Sequence, residues 1–466
     1  MALESWLLKV KTAVSNGIVT VRTTAAKESK KANVGVLAFE IAGLMSKLLL
    51  LWQALSDKSV LWIRHEAIAL EGVRKIVSND ESFLLALACA EISESLRHVA
   101  NSVGRIGKRC EDSALRSFDR FFEEFADFGK DAQCWVLTRK DMDSKVVKKM
   151  NRYVATAARL HKEINEMGDT EQSLTKLLGS TDLESPIRVK KISDLQQKLF
   201  WQRQEVKQLK EKSLWNQSFD PVVLLLARSV FTVLARLKLV FGIGHGHENP
   251  VTLPRSLSAT VYPSENSTPS SKFVSGPLIT KNAELPDLSD GFFNSNTKLL
   301  KPPTTTLGSA AVAQHYANLI IVIEKMIRSP HLIGMDARDD LYGMLPASLR
   351  ASLRTRLRGV GPCASDPALA AEWREALARI LDWLAPLAHN MIKWQSERSF
   401  EQQSVVRRST TVLLLQTLFF ANQAKAEAAV TELLVGLNYI WRFEREMNAK
   451  ALIACTEFNG LLNTQS

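Results

Sequence analysis

The densest run of chemically capable side chains in this 466-residue sequence lies at 346–358, Pro-Ala-Ser-Leu-Arg-Ala-Ser-Leu-Arg-Thr-Arg-Leu-Arg. Pro346 suits the first turn of a helix, where its missing N–H would have no partner in any case. Helical spacing then aligns Arg350, Arg354 and Arg358 on one face and Leu349, Leu353 and Leu357 on the adjacent one. An arginine row of this kind grips phosphates or carboxylates bidentately, which makes the three residues a candidate site for an anionic partner. The competing reading pairs the row with the chain's own acids, for instance Asp336, Asp339 or Asp340. That reading is favoured, because charge runs ordinarily stay solvated or locally paired.

No other constellation reaches that density. Gly104-Arg-Ile-Gly107-Lys108 lacks the spacing of a phosphate loop and the Ser or Thr after its lysine, and it follows a helix rather than a strand. His245-Gly-His247 supplies two imidazoles with only Glu248 beside them, whereas structural zinc needs four ligands. Carboxylate pairs such as Glu123-Glu124 fit helix surfaces as well as acid–base work, and neither an HExxH nor a GxSxG pattern occurs. The five cysteines, at 89, 110, 134, 363 and 455, include no CxxC pair and suit reduced thiols inside the cell. No catalytic residue, metal or cofactor is expected, and the chain reads as non-enzymatic.

The elements that must carry these residues are helices. Leu37, Ile41, Leu44, Leu48 and Leu51 step by three and four, and Asp80 is placed to cap a helix opening at Glu81. Phe118, Phe121, Phe122, Phe125 and Phe128 form an aromatic helix face that packing explains better than base stacking. Ile192, Leu195, Leu199, Val206 and Leu209 follow a heptad register over about three heptads, too short for an autonomous coiled coil and suited to a seam within the domain. Alternating strand patterns are nearly absent, so the fold class is all-α.

Length and composition divide the chain. At 466 residues, with 46% hydrophobic and 23% charged, it is an ordinary globular composition long enough for two domains. Residues 243–306 hold eight prolines among Ser, Thr and Asn and read as a long disordered linker. The expected organisation is a basic leader at 1–32, a helical domain at 33–242, the linker at 243–306 and a second helical domain at 307–466. Nine of the eleven excess positive charges fall before residue 243, which weakens nucleic-acid attraction as a whole-chain explanation and leaves an anionic membrane surface or an acidic protein as partners.

No transmembrane segment is expected. Pro221–Phe241 is the longest apolar stretch, but Arg228, Thr232 and Arg236 recur every four residues as a polar stripe that should meet solvent, and Val412–Ala421 is too short to span. Position 2 is Ala rather than Gly, so N-myristoylation is not expected.

Two blocks of this sequence resemble a plant family of paired domains of unknown function, the phytosulfokine-simulator proteins. The first runs from Val34 through Phe39-Glu40 to Arg64-His-Glu66, Asn79–Leu85 and on to Cys110; the second runs from Thr306 through His315-Tyr316-Ala-Asn318, Asp336-Ala-Arg338-Asp339-Asp-Leu-Tyr342 and Leu345–Arg350. The resemblance implies a growth-promoting plant protein linked to phytosulfokine signalling, with a possible part in defence responses, acting through protein partners. The alternative is a peripheral adaptor on anionic lipid. It implies no catalytic residues; Phe39, Glu40, His315, Tyr316, Asn318, Asp336, Arg338, Asp339 and Tyr342 are motif positions of unknown role. The expected location is intracellular, in nucleus, cytoplasm or at the plasma membrane periphery.

Overall fold

The structure, a computed structural model, describes residues 33–179, 186–242, 291–329, 334–358, 366–401 and 412–463. Among these residues the all-α expectation holds: helices pack on helices, and the only β pairing is two isolated bridges, Asn33 with Ser218 and Thr306 with Asn422. The leader at 1–32 lies outside the described residues.

In the N-terminal unit α1 (Ala38–Ala54) buries Ile41, Leu44, Met45, Leu48 and Leu51 along one stripe. The stretch Gly35–Ala54 is also long and apolar enough to cross a membrane by length and composition alone, a test that a core helix passes too and that the sequence reading did not apply here. Here its apolar stripe is part of the unit's core. Next comes α2 (Glu81–Gly107), which starts where Asp80 accepts the N–H of Ser82 at 2.9 Å, a cap worth about 1 kcal/mol. The phenylalanine helix α3 (Phe118–Phe128) buries Phe118, Phe122 and Phe125, half-buries Phe121 and leaves Phe128 exposed. It ends at Gly129, whose positive φ of 71° turns the chain away just after Phe128.

Helices α4 (Val147–Gly179) and α5 (Pro186–Lys212) form an antiparallel hairpin. The heptad residues Val206 and Leu209 close on Leu160 of α4, so the register serves a seam inside the chain. Through the middle of the unit runs α6 (Phe219–Phe241). Its polar stripe does not meet solvent as expected. Thr232 is buried, donating to the carbonyl of Arg228 at 2.7 Å and accepting the N–H of Leu137 at 3.0 Å. Arg236 donates to the Leu55 carbonyl at 3.2 Å and pairs with Asp57. The chain around 55–57 and 131–138 lies over this face, and the stripe satisfies its polar backbone.

The expected linker also needs correction at its end. Residues 243–290 lie outside the described residues, but 291–306 are folded. Helix α7 (Phe292–Leu299) returns to the N-terminal unit. Phe293 stacks on Phe122 at 5.3 Å, the Phe292 N–H is accepted by Asp127 at 2.8 Å, and Thr297 donates to Glu94 at 3.0 Å. Two adjacent phenylalanines supply the apolar area that the surrounding prolines obscure in a composition count.

The C-terminal unit contains α8 (Ala313–Arg328), α9 (Met335–Met344), α10 (Ala347–Leu357), α11 (Pro367–Glu401) and α12 (Gln423–Asn463). Tyr316, Ile320, Leu349, Leu377, Leu384 and Leu433 belong to its core. The two units touch, through a segment at 412–422 that enters both cores. Leu414, Leu415 and Phe420 pack with the first, Leu418 and Ala421 with the second. The Glu91 carboxylate of α2 accepts the Leu414 N–H at 2.7 Å and the Trp394 indole N–H at 3.3 Å. Further along, the Asn422 N–H reaches the Ile76 carbonyl at 2.7 Å, and the Lys75 ammonium sits 5.0 Å from the Trp383 ring.

Candidate functional site

Residues of α9, α10 and α12, with Met326 of α8, line one cleft of about 260 Å³. Local sequence explains the walls. Leu349 and Leu353 of α10 turn into the core, which leaves Arg350 and Arg354, four residues apart, beside Tyr342 of α9. Arg350 donates from Nε to the Leu345 carbonyl at 2.8 Å, and its guanidinium stands 5.8 Å from the Tyr342 ring. Arg354 donates from Nε and Nη2 to the Tyr342 hydroxyl at 3.2 and 2.8 Å. Arg358, at the end of α10, is exposed.

On the opposite wall, α12, the Trp441 ring lies 3.5 Å under the Arg338 guanidinium of α9, with Arg445 at 5.5 Å from the same ring. Burial holds Arg338 below its usual pKa; neighbouring Asp339 opposes the shift and Arg445 adds to it. Met326, Leu341, Leu434 and Leu437 complete an apolar floor. A guanidinium on an indole face is a cation–π pair that also fixes the fork's orientation.

The expected pairing of the arginine row with Asp336, Asp339 or Asp340 is not what the described contacts show for Arg350 and Arg354. Their partners are a phenol, an aromatic face and a backbone carbonyl. The Tyr342 hydroxyl takes from Arg354 the bonds that a carboxylate was expected to take. Arg356, outside that row, is the α10 arginine paired with an acid, Glu432.

The remaining motif positions divide by role. Phe39 packs edge-on against His161 and Trp215 at 5.3 and 6.1 Å, and Glu40 pairs with Arg105. His315 donates from Nε2 to the Met344 carbonyl at 2.8 Å and thereby ties α8 to the end of α9. Buried Tyr316 donates to Glu427 at 2.8 Å, and that carboxylate also receives Ser348 and Gln423. Burial, reinforced by Glu427, raises the Tyr316 phenol above its ordinary range. Asn318 and Asp336 are exposed. Sequence reasoning missed Trp441 and Arg445, whose only signal was an aromatic and basic run, Trp441-Arg-Phe-Glu-Arg445.

Other candidates resolve into packing. Gly104 and Gly107 sit in α2 where an added Cβ would meet Asp119 and the Leu115 carbonyl, so close helix packing accounts for both glycines. A second cleft of about 310 Å³, lined by Trp52, Arg139, Asp143 and Arg236, is internally neutralised: Asp57 pairs with Arg139 at 2.8 Å and with Arg236, while Trp52 donates to Asp143 at 2.7 Å. The Arg139 hydrogen bond holds the Asp57 carboxyl below its usual pKa. Burial pushes the Cys89 and Cys110 thiols up to about 12, away from thiolate chemistry. Among the described residues no three His, Cys, Asp or Glu side chains converge as a metal site, and His245 and His247 lie outside them.

The fold and cleft define a two-unit helical protein with an apolar concavity, beside which Arg350, Arg354 and Arg445 stand against Tyr342 and Trp441. Residues 36–92 match a domain of unknown function (DUF3475) and residues 306–393 match a protein family of unknown function (DUF668). The chain is 25% identical to PSK SIMULATOR 1 of Arabidopsis thaliana over 432 residues, and 24% identical to PSK SIMULATOR 2 over 431 and to PSK SIMULATOR 3 over 427. Each alignment covers 90% of this chain but 57%, 61% and 58% of those relatives, so the chain spans about three-fifths of their length. The chain is thus similar to the PSK SIMULATOR proteins along most of its length, in keeping with its two sequence blocks. No solved structure matches it.

Proposed function

We propose that this chain is a non-enzymatic regulator of plant growth tied to phytosulfokine signalling, working inside the cell by binding other proteins at the α9–α10–α12 cleft. The observation that carries the reading is the cleft itself, an apolar floor under exposed Tyr342 and half-buried Trp441 on packed helices. Aromatic and arginine side chains at a concave site are the usual energetic anchors of protein interfaces. Proximity labelling in plant cells tests it, comparing the chain with a Tyr342→Ala/Trp441→Ala variant of matched abundance. The variant should lose a defined set of neighbours together with growth promotion. Unchanged neighbours and growth would refute the reading. So would reproducible turnover by the purified chain that a cleft substitution abolishes.

A second reading, an adaptor on anionic lipid, draws on α5. Phe200 and Trp201 are 56% and 64% exposed there, near exposed Lys198 and Lys207. Apolar rings beside lysines favour a negatively charged bilayer surface. Liposome flotation at two salt concentrations tests it, and no binding to anionic liposomes at low salt would sink it.

A further inference from the structure

The C-terminal unit matches several of its arginines to carboxylates: Arg328 to Glu324 at 2.7 Å, Arg374 to Glu444 at 2.5 Å, and Arg356 to Glu432. Around the cleft the pattern changes. Arg350 meets a carbonyl, Arg354 a phenol and Arg445 an indole face. These neutral partners fix the guanidinium groups in place without offsetting their charge. In these contacts Arg350 uses one and Arg354 two of the five N–H donors each fork carries.

These arginines stand against Tyr342 and Trp441, which line an adjoining space of about 260 Å³ with an apolar floor, under the roughly 300–1,000 Å³ of drug-sized ligand sites. That volume suits inserted side chains better than a free small molecule. Its walls are helices, and no sheet edge among the described residues offers strand pairing. A bilayer surface cannot follow a concave floor. The α9 wall carries Arg338 and Asp339, one charge of each sign, so the excess positive charge lies with the arginines of α10 and α12.

We propose that the cleft receives an acidic amphipathic helix of a partner protein, its leucine-sized side chains on the floor and its carboxylates on Arg350, Arg354 and Arg445. This rests on reading the cleft as a partner site and specifies the chemistry of that partner. The probe is a fluorescein-labelled synthetic helix with leucine on one face and glutamate on the other, read by anisotropy against the full chain. Its lysine-for-glutamate counterpart and phosphatidylserine vesicles serve as competitors.

The glutamate peptide should bind about tenfold or more tighter than the lysine peptide and weaken as salt rises. Arg350→Glu/Arg354→Glu should cost about tenfold or more, as complementary charge becomes repulsion. Lys148→Glu on α4 should change little. Asn438→Trp, which fills the cleft and leaves the arginines, should also block binding, and circular dichroism checks that each variant folds. Equal binding of both peptides, or indifference to the arginine reversal in a folded variant, would overturn the proposal. So would vesicle capture that depends on Arg350 and Arg354 while the glutamate peptide fails to bind. Loss of growth promotion in cleft variants without peptide binding would refute the acidic-helix chemistry alone. Peptide binding with undiminished growth promotion would refute the growth reading alone.

Discussion

Replacing Glu91 by alanine should loosen the joint between the two units before it harms either core. The carboxylate takes a short hydrogen bond from the Leu414 amide at 2.7 Å and a longer one from the Trp394 indole at 3.3 Å. A hydrogen bond to a charged group contributes about 1.5–3 kcal/mol, and an orphaned buried donor costs about 1–3 kcal/mol. Glu91 is half-buried and the indole bond is long, so both stand near the lower ends of these ranges. Glu91→Ala should therefore cost about 2–4 kcal/mol. Glu91→Gln retains one acceptor oxygen and should cost about half as much. Equilibrium urea unfolding by tryptophan fluorescence gives the total, and hydrogen exchange resolved along the chain shows where it falls. Protection at 412–422 should drop first, with α6 and α8 unchanged at low denaturant. If Glu91→Ala lies within about 0.5 kcal/mol of the parent and exchange at 412–422 is unaltered, the joint does not depend on this carboxylate.

Gly72→Ala should destabilise the same joint by about 1–3 kcal/mol, because the added methyl meets the Trp383 carbonyl and the Leu387 side chain; a thermal melt reads it, and a neutral result would refute the close approach. Phe231→Ala removes a buried ring that touches Phe118, Phe122, Phe125 and Trp135, and urea unfolding should register a loss of about 3–5 kcal/mol. Lys238 donates to the Phe125 carbonyl at 3.0 Å with the Phe292 ring 5.3 Å away, and burial lowers its pKa from 10.5 to about 8. Between about pH 8 and 10.5 the unfolded chain keeps a proton that the folded one releases, so its contribution makes stability rise across that window and is flat below 8, where both states hold the proton. The difference in urea midpoint between the parent and Lys238→Met should change across that window, and a constant difference would count against the assignment.

Helical spacing read α1 well because its apolar face serves one core, and the Asp80 cap was legible because capping is local. The polar stripe of α6 was misread for the opposite reason: residues 228–236 are polar on a face that distant chain covers, and nothing in the helix itself announces the cover. Half the cleft was legible, since α9 and α10 lie within one stretch of sequence. Its other wall was not, because Trp441 reaches Arg338 only after α11 and α12 have folded back. The segment around 412–421 showed an apolar run too short for a membrane, but that run carries no sign that its leucines divide between two cores.

The junction at Leu414 has a consequence for how this chain is made. Glu91 and Leu414 are separated by 323 residues. At about 5–20 residues per second a ribosome needs roughly 16–65 s to cover that distance. Through that interval the nascent first unit carries an apolar patch whose cover has yet to be synthesised, a surface that chaperones can hold. Translation that stops before the joint leaves the patch open for good, so an unfinished product carries a visible mark for quality control. Closing the joint thus reports that everything from Glu91 to Leu414 has been made.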